Sequence, residues 1–324
     1  MKRRELLQHA SAMTLAAGIW PALGQTAYPN KPIRYIVPVS AGGGSDMVGR
    51  TVTERWGQAL KQAFVVDNQG GGGGVIACQT TMRAPADGYT LLQGYVATHG
   101  TSPATRKLPY DPLKDFTAIG MIGATPNVLV VPMSLPVKNL KEFIAYISKT
   151  PNLSYGSSGQ GSLTHLSMEL FKQESHADLV HVPYRGIAPA ISDLIGGQTQ
   201  AMLPGLAAAL PHIKAGRMRA LAVTGLQRHL QLKDVPTMDE SGFKGFDAQQ
   251  WYGVVGPAGM PAQVVKLLND TLNQVLKSAD LRDKLSVEAI EPMSMSPEQF
   301  SAHISKEVAR WTVLAKERKI QLDT

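Results

Sequence analysis

An apolar run over 33–37, a glycine-rich stretch and then apolar residues at helical spacing over 47–60 predict a strand, a turn and an amphipathic helix. The same succession recurs along the chain. Short strands are predicted over 64–66, 89–93, 180–183, 201–205, 219–223 and 251–255, and helices over 75–82, 139–148, 163–173 and 188–195. Strands that alternate with helices are the mark of parallel α/β sheets. The final stretch is helical. Val264, Leu267, Leu268, Leu272, Val275 and Leu276 define one helix over 261–277. Ser296-Pro297-Glu298-Gln299 starts another, running to 319, with an N-cap, a proline at the first helical position and a capping partner.

Two of the turns carry candidate chemistry. The first is Val39-Ser40-Ala41-Gly42-Gly43-Gly44-Ser45-Asp46; the second is Gly156-Ser157-Ser158-Gly159-Gln160-Gly161-Ser162, between a strand at 153–155 and the helix at 163–173. A helix start presents unpaired N–H groups and the positive end of its dipole, and glycine lets a ligand approach that backbone closely. Each turn is an anion site in outline, although either one alone also reads as a tight turn with no ligand. The first lacks lysine, arginine and the G-x-x-x-x-G-K-[ST] pattern, so it suits a carboxylate better than a phosphate. Facing each other across a cleft, the two would hold a small anion between two helix starts. Tyr95, Thr98 and His99 follow a strand end, where ligands of α/β folds sit. Arg185 is a permanent cation beside another strand end, placed either to pair with a carboxylate or to face solvent.

Lys2, Arg3 and Arg4 precede an apolar stretch over 10–19 and then Pro21-Ala22-Leu23-Gly24, the layout of a secretory signal removed after about residue 24. The apolar stretch is too short to span a membrane. The paired arginines suit an ordinary secretory signal and are compatible with a twin-arginine one. Loss of Lys2, Arg3 and Arg4 with Glu5 lowers the formal charge from +7 by two, and the remaining basic residues are scattered rather than gathered into a nucleic-acid-binding patch. With Cys78 the only cysteine, an exported chain forms no internal disulfide and is held by packing alone.

Catalytic patterns are poor. Gln160 stands where G-x-S-x-G needs its last glycine, and the glycine run 70–74 fails G-x-G-x-x-G at Val75. The eight histidines show no metal-ligand spacing. An exported serine hydrolase using Ser158 and His165 is the reading of a different class, with no positive motif behind it.

Taken together, Tyr28-Pro29-Asn30-Lys31-Pro32-Ile33, Ala41-Gly42-Gly43-Gly44-Ser45-Asp46, Asp87-Gly88-Tyr89-Thr90-Leu91-Leu92, Leu108-Pro109-Tyr110-Asp111-Pro112, Tyr155-Gly156-Ser157-Ser158-Gly159-Gln160-Gly161, His181-Val182-Pro183-Tyr184-Arg185-Gly186, Leu210-Pro211-His212-Ile213-Lys214-Ala215-Gly216 and Leu221-Ala222-Val223-Thr224 carry a specific likeness. The chain resembles the Bug-type solute receptors of the tripartite tricarboxylate transporters over nearly its whole mature length. That resemblance implies two Rossmann-like α/β lobes of the type II periplasmic binding-protein architecture, joined by two crossing strands. The expected division is 28–126 plus 252–324 for one lobe and 127–251 for the other. It further implies a periplasmic monomer that binds a small organic carboxylate without turnover, cofactor or metal. The receptor would then deliver its ligand to a membrane permease or present it to a sensor kinase.

The expected ligand-binding set is Ser40, Ala41, Gly42, Gly43, Gly44, Ser45, Asp46, Tyr95, Thr98, Ser157, Ser158, Gly159, Gly161, Ser162, Thr164, Tyr184, Arg185, Gly186 and Pro204, of which the resemblance implies those within 40–46, 156–162 and 184–188 and Thr98. One segment departs from similar receptors. Many of them read Met-Phe-Asp-Asn-Leu-Pro where this chain has Met202-Leu203-Pro204-Gly205-Leu206-Ala207. The missing acid points either to a less polar dicarboxylate or an aromatic carboxylate rather than an amino acid, with Tyr95 and Trp251 flanking a ring, or to a segment that lies behind the pocket, where the change is one of packing alone.

Overall fold

The computed structural model describes residues 28–42 and 44–320; the signal expected over 1–24, and Gly43 of the first turn, lie outside the described residues. β1 (Ile33–Val37) runs parallel to β2 (Phe64–Asn68) on one side and to β3 (Thr90–Tyr95) on the other. The crossovers are α1 (Gly44–Leu60) and α2 (Val75–Met82). Trp56, Val48 and Val52 on one face of α1 are buried against this sheet, the amphipathic pattern seen in the sequence.

From β3 the chain passes through a short helix, α3 (Ser102–Thr105), into the long strand β4 (Phe116–Pro126), and it crosses at Asn127 into β5 (Val128–Pro132) of a second sheet. That sheet adds β6 (Ser154–Ser157), β7 (Val180–Pro183), β8 (Ala201–Met202) and β9 (Met218–Val223), in the order β7-β6-β8-β5-β9. Its helices are α4 (Leu140–Ile147), α5 (Leu163–Ser175), α6 (Ile187–Ile195) and α7 (Leu206–Lys214). The chain then returns along β10 (Gln249–Pro257) to the first sheet. α8 (Ala262–Val275), α9 (Ala279–Ser286), β11 (Glu291–Pro292) and α10 (Pro297–Glu317) complete it, in the order β11-β4-β10-β3-β1-β2.

Both sheets are mixed, which corrects the expectation of parallel ones. β10 lies antiparallel to β3 and β4, and β5 antiparallel to β8 and β9, because these are the strands that arrive from the other sheet rather than through a helical crossover. Thr224 ties the two crossings together: its Oγ1 accepts from the Asn127 N–H at 2.9 Å and donates to the Ala248 carbonyl at 2.6 Å. The strand expected over 201–205 stops at Met202, since Pro204 has no N–H to donate to a ladder and the chain turns there into α7.

Candidate ligand cleft

A cavity of about 510 Å³ lies between the sheets, and residues of both lobes and both crossing strands line it. α1 and α5 begin at it. Gly44 and Ser45 bring the first turn of α1 to the wall, and Ser158, Ser162 and Thr164 bring the start of α5. At 17 and 13 residues the helices carry a full dipole, and both direct its positive end toward the same space.

Each turn is held by its own polar network. Ser162 caps α5 by accepting from the His165 N–H, and its hydroxyl donates to the Gly159 carbonyl at 2.6 Å. Thr164 Oγ1 accepts from the Ser158 N–H at 2.9 Å and lies 3.0 Å and 2.9 Å from the hydroxyls of Ser158 and Ser162, so three hydroxyls cluster at this wall. On the other side, Gln93 Nε2 donates to both the carbonyl and the hydroxyl of Ser45, at 2.8 Å each.

Behind the second turn, His165 Nδ1 accepts from the Gly161 N–H at 3.0 Å, and its ring stacks on His181 with centroids 3.8 Å apart. Burial, and for His165 the neighbouring His181, push both imidazoles down to about 4, so both are neutral at pH 7. The helix is anchored at Glu169. Burial opposes its ionisation, but hydrogen bonds from Lys172, Tyr155 and Arg318 outweigh that and pull it down to about 2.

Several expected site residues stand behind the wall instead of in it. Asp46 is buried; its carboxylate accepts from the Gly42 N–H and Asn68 Nδ2 at 2.9 Å each and pairs with Arg50, which braces the turn. Ser40, Ala41 and Gly42 are exposed outside the lining, with Ser40 against Gly70 of the glycine run. Thr98 is fully buried, bonded to the Tyr95 backbone and His99. Ser157 turns its hydroxyl to His181 at 2.7 Å, and Gly159 and Gly161 shape the turn with positive φ. Tyr184 donates to Asp193 at 2.7 Å; Arg185 is exposed; Gly186 caps α6, leaving Ile187 to reach the cavity. Pro204 is buried, and Gly205, Ala207 and Ala208 take its place in the lining. The Ser158–His165 pair of a hydrolase does not assemble, because Ser158 meets Thr164 and His165 is turned to Gly161. Tyr95 does line the cavity.

Sequence reasoning missed the cavity floor. Thr125, Asn127, Gln250 and Tyr252 line it from the crossing strands. Side chains alternate along β10, so Trp251, between Gln250 and Tyr252, points the other way. It is buried against Phe300, and its Nε1 donates to Glu307 at 3.0 Å; it is therefore Tyr252, not Trp251, that stands with Tyr95 at the cavity. Glu288 also lines the cavity, and its Oε2 lies 2.8 Å from where a Cβ on Gly44 would be. An acid therefore lines the cavity although none stands in 202–207. Among the described residues no group of His, Cys, Asp and Glu is placed to hold a metal, and no helix is long and apolar enough to cross a membrane.

The family model described as tripartite tricarboxylate transporter family receptor matches residues 48–320. Protein BugT of Bordetella pertussis is 32% identical over 99% of this chain and 100% of its own length. Among solved structures, Rpa4515 of R. palustris with adipate is 37% identical, with a TM-score of 0.79 over 91% of this chain and 99% of that one. MatC of Rhodopseudomonas palustris with bound malate is 30% identical, with a TM-score of 0.74 over 89% and 99%.

Proposed function

The chain belongs to the tripartite tricarboxylate transporter receptor family, whose members are substrate-binding receptors and not enzymes, and from that premise we propose that it captures an organic carboxylate in the periplasm and hands it to a membrane permease. The observation that carries this reading is the convergence of two helix starts and a cluster of three hydroxyls on one inter-lobe cavity with no lysine or arginine among its described lining residues. Backbone N–H groups and hydroxyls would replace the waters of a carboxylate at a fixed spacing, and a ligand touching both lobes favours the closed arrangement. Adipate in one relative and malate in another are carboxylates of a size this cavity admits. A dicarboxylate or an aromatic acid between Tyr95 and Tyr252 belongs to the same class.

Thermal unfolding of the exported form against mono-, di- and aromatic carboxylates tests the reading. A ligand at a hundred times its Kd stabilises the fold by about 2.7 kcal/mol and raises the midpoint accordingly. Ala208→Trp fills the cavity from a half-buried position on α7. It is expected to abolish the shift while leaving the ligand-free midpoint in place. A shift that survives Ala208→Trp would move the site elsewhere.

A further inference from the structure

The cleft of a carboxylate receptor has one charged side chain among its described lining residues, and that side chain is itself a carboxylate. Glu288 reaches back from the turn after α9, where its N–H donates to the Leu285 carbonyl, and lays Oε2 over Gly44 at the start of α1. A negative group over a helix N-terminus is where the dipole favours it. Glu288 therefore places a carboxylate beside the first of the two helix starts, while the wall at the start of α5 is lined by Leu163 and neutral hydroxyls.

The floor between the helix starts asks for a donor as well. Asn127 is 1% exposed and Thr125 3%. Asn127 Nδ2 donates to the Leu203 carbonyl at 3.0 Å; a carbonyl only accepts, so the amide is oriented with Oδ1 on the opposite side. That Oδ1 lies 3.9 Å from where a Cβ on the cavity-lining Gly205 would be. Neither Asn127 Oδ1 nor Thr125 Oγ1 has a partner among the described residues; the hydroxyl can donate or accept, but the amide oxygen only accepts, and an acceptor buried without a donor is costly unless a ligand or water supplies one. A second carboxylate brought to this end would face Glu288 with no cation beside it. A protonated amine would meet a carboxylate.

Resting on the carboxylate-receptor reading, we infer that Glu288 selects the far end of the ligand: one carboxylate sits at the start of α5, and a hydrogen-bond donor, a protonated amine before a hydroxyl, faces Glu288 and the Asn127 amide oxygen. Plain dicarboxylates are then the weaker ligands, and an amino-terminated acid returns to the range that the expectation from segment 202–207 left out.

Calorimetric titration of the exported form with pairs of equal length tests this: succinate against 4-aminobutanoate, adipate against 6-aminohexanoate and 6-hydroxyhexanoate, and terephthalate against 4-(aminomethyl)benzoate. In at least one pair the donor-ended acid is expected to bind about tenfold tighter than its diacid twin, and Glu288→Gln to erase that preference, with Glu288→Asp retaining part of it. Diacids preferred by the wild type, or a preference untouched in a folded Glu288→Gln protein, would overturn the assignment and leave the carboxylate receptor standing. If no pair and no other carboxylate binds the folded wild type, both readings fail together.

Discussion

His165 and His181 show how residues outside the cavity lining brace a turn that reaches it. His165 Nδ1 must be unprotonated to accept from the Gly161 N–H, and the ring stacked on it at 3.8 Å disfavours a charge on either. Both are held near 4 in the folded protein against an unfolded value of about 6.5. The unfolded chain therefore binds more protons between those values, so stability is complete above pH 6.5 and is lost progressively as pH falls toward 4. Replacing both histidines by Asn should shrink the fall in unfolding midpoint between pH 7 and pH 5 relative to wild type; an unchanged fall would assign it to other groups, among them His99, His212, His229 and His303, which burial also lowers. Residue identity alone marked these histidines only as dispersed, because their stacking arises from β7 lying beside β6, a pairing between strands distant in sequence.

At the level of the element, local rules carry most of the structure. Ser296 accepts from the Gln299 N–H and the Gln299 side chain accepts from the Ser296 N–H, the capping box read from four consecutive residues. Ser296→Ala should lower stability by about 1 kcal/mol in denaturant titration without changing ligand affinity. Asn139 opens α4 by accepting from the Glu142 N–H, while Glu142 reaches back to the Lys138 N–H and the Asn139 side-chain amide instead of closing a reciprocal box, and β1, β7 and α2 fall on the expected residues. β4 and β5 escaped notice. Gly120 and Gly123 interrupt the β-branched pattern of β4, and the reason for Gly123 is tertiary: a Cβ there would lie 2.5 Å from the Glu291 carbonyl of β11. Helix α7 was missed because Pro211 sits inside it, where a local rule predicts a break.

Across the whole molecule, the C-terminal segment pins one lobe to the other. Arg318, just beyond α10, reaches Glu169 of α5 at 2.7 Å, and Gln173 donates to Glu317 at 2.9 Å. Glu169 is buried and keeps Tyr155 and Lys172 when Arg318 is removed, so Arg318→Ala should cost roughly 1.5–3 kcal/mol, the worth of a hydrogen bond to a charged group. Denaturant unfolding measures that loss, and a loss within error would make the pair incidental. The two strand-to-helix turns were legible in the chain because glycines, hydroxyls and a following amphipathic run are short-range signals. That the two would meet at one cleft was expected from their pairing and from the family resemblance, but which of their residues, Gly44, Ser45, Ser158, Ser162 and Thr164, form its wall was not legible. Nor was the retreat of Asp46, Thr98 and Tyr184 into bracing roles, since whether a polar side chain faces a ligand or a neighbour depends on what packs behind it. The sequence by itself determined most of the α/β elements, their caps and the two glycine-rich strand-to-helix turns, which depend on interactions within a few residues. Only the tertiary structure decided the mixed sheets, the cavity floor from the crossing strands and the placing of Glu288 over Gly44, because each joins segments that no local spacing relates.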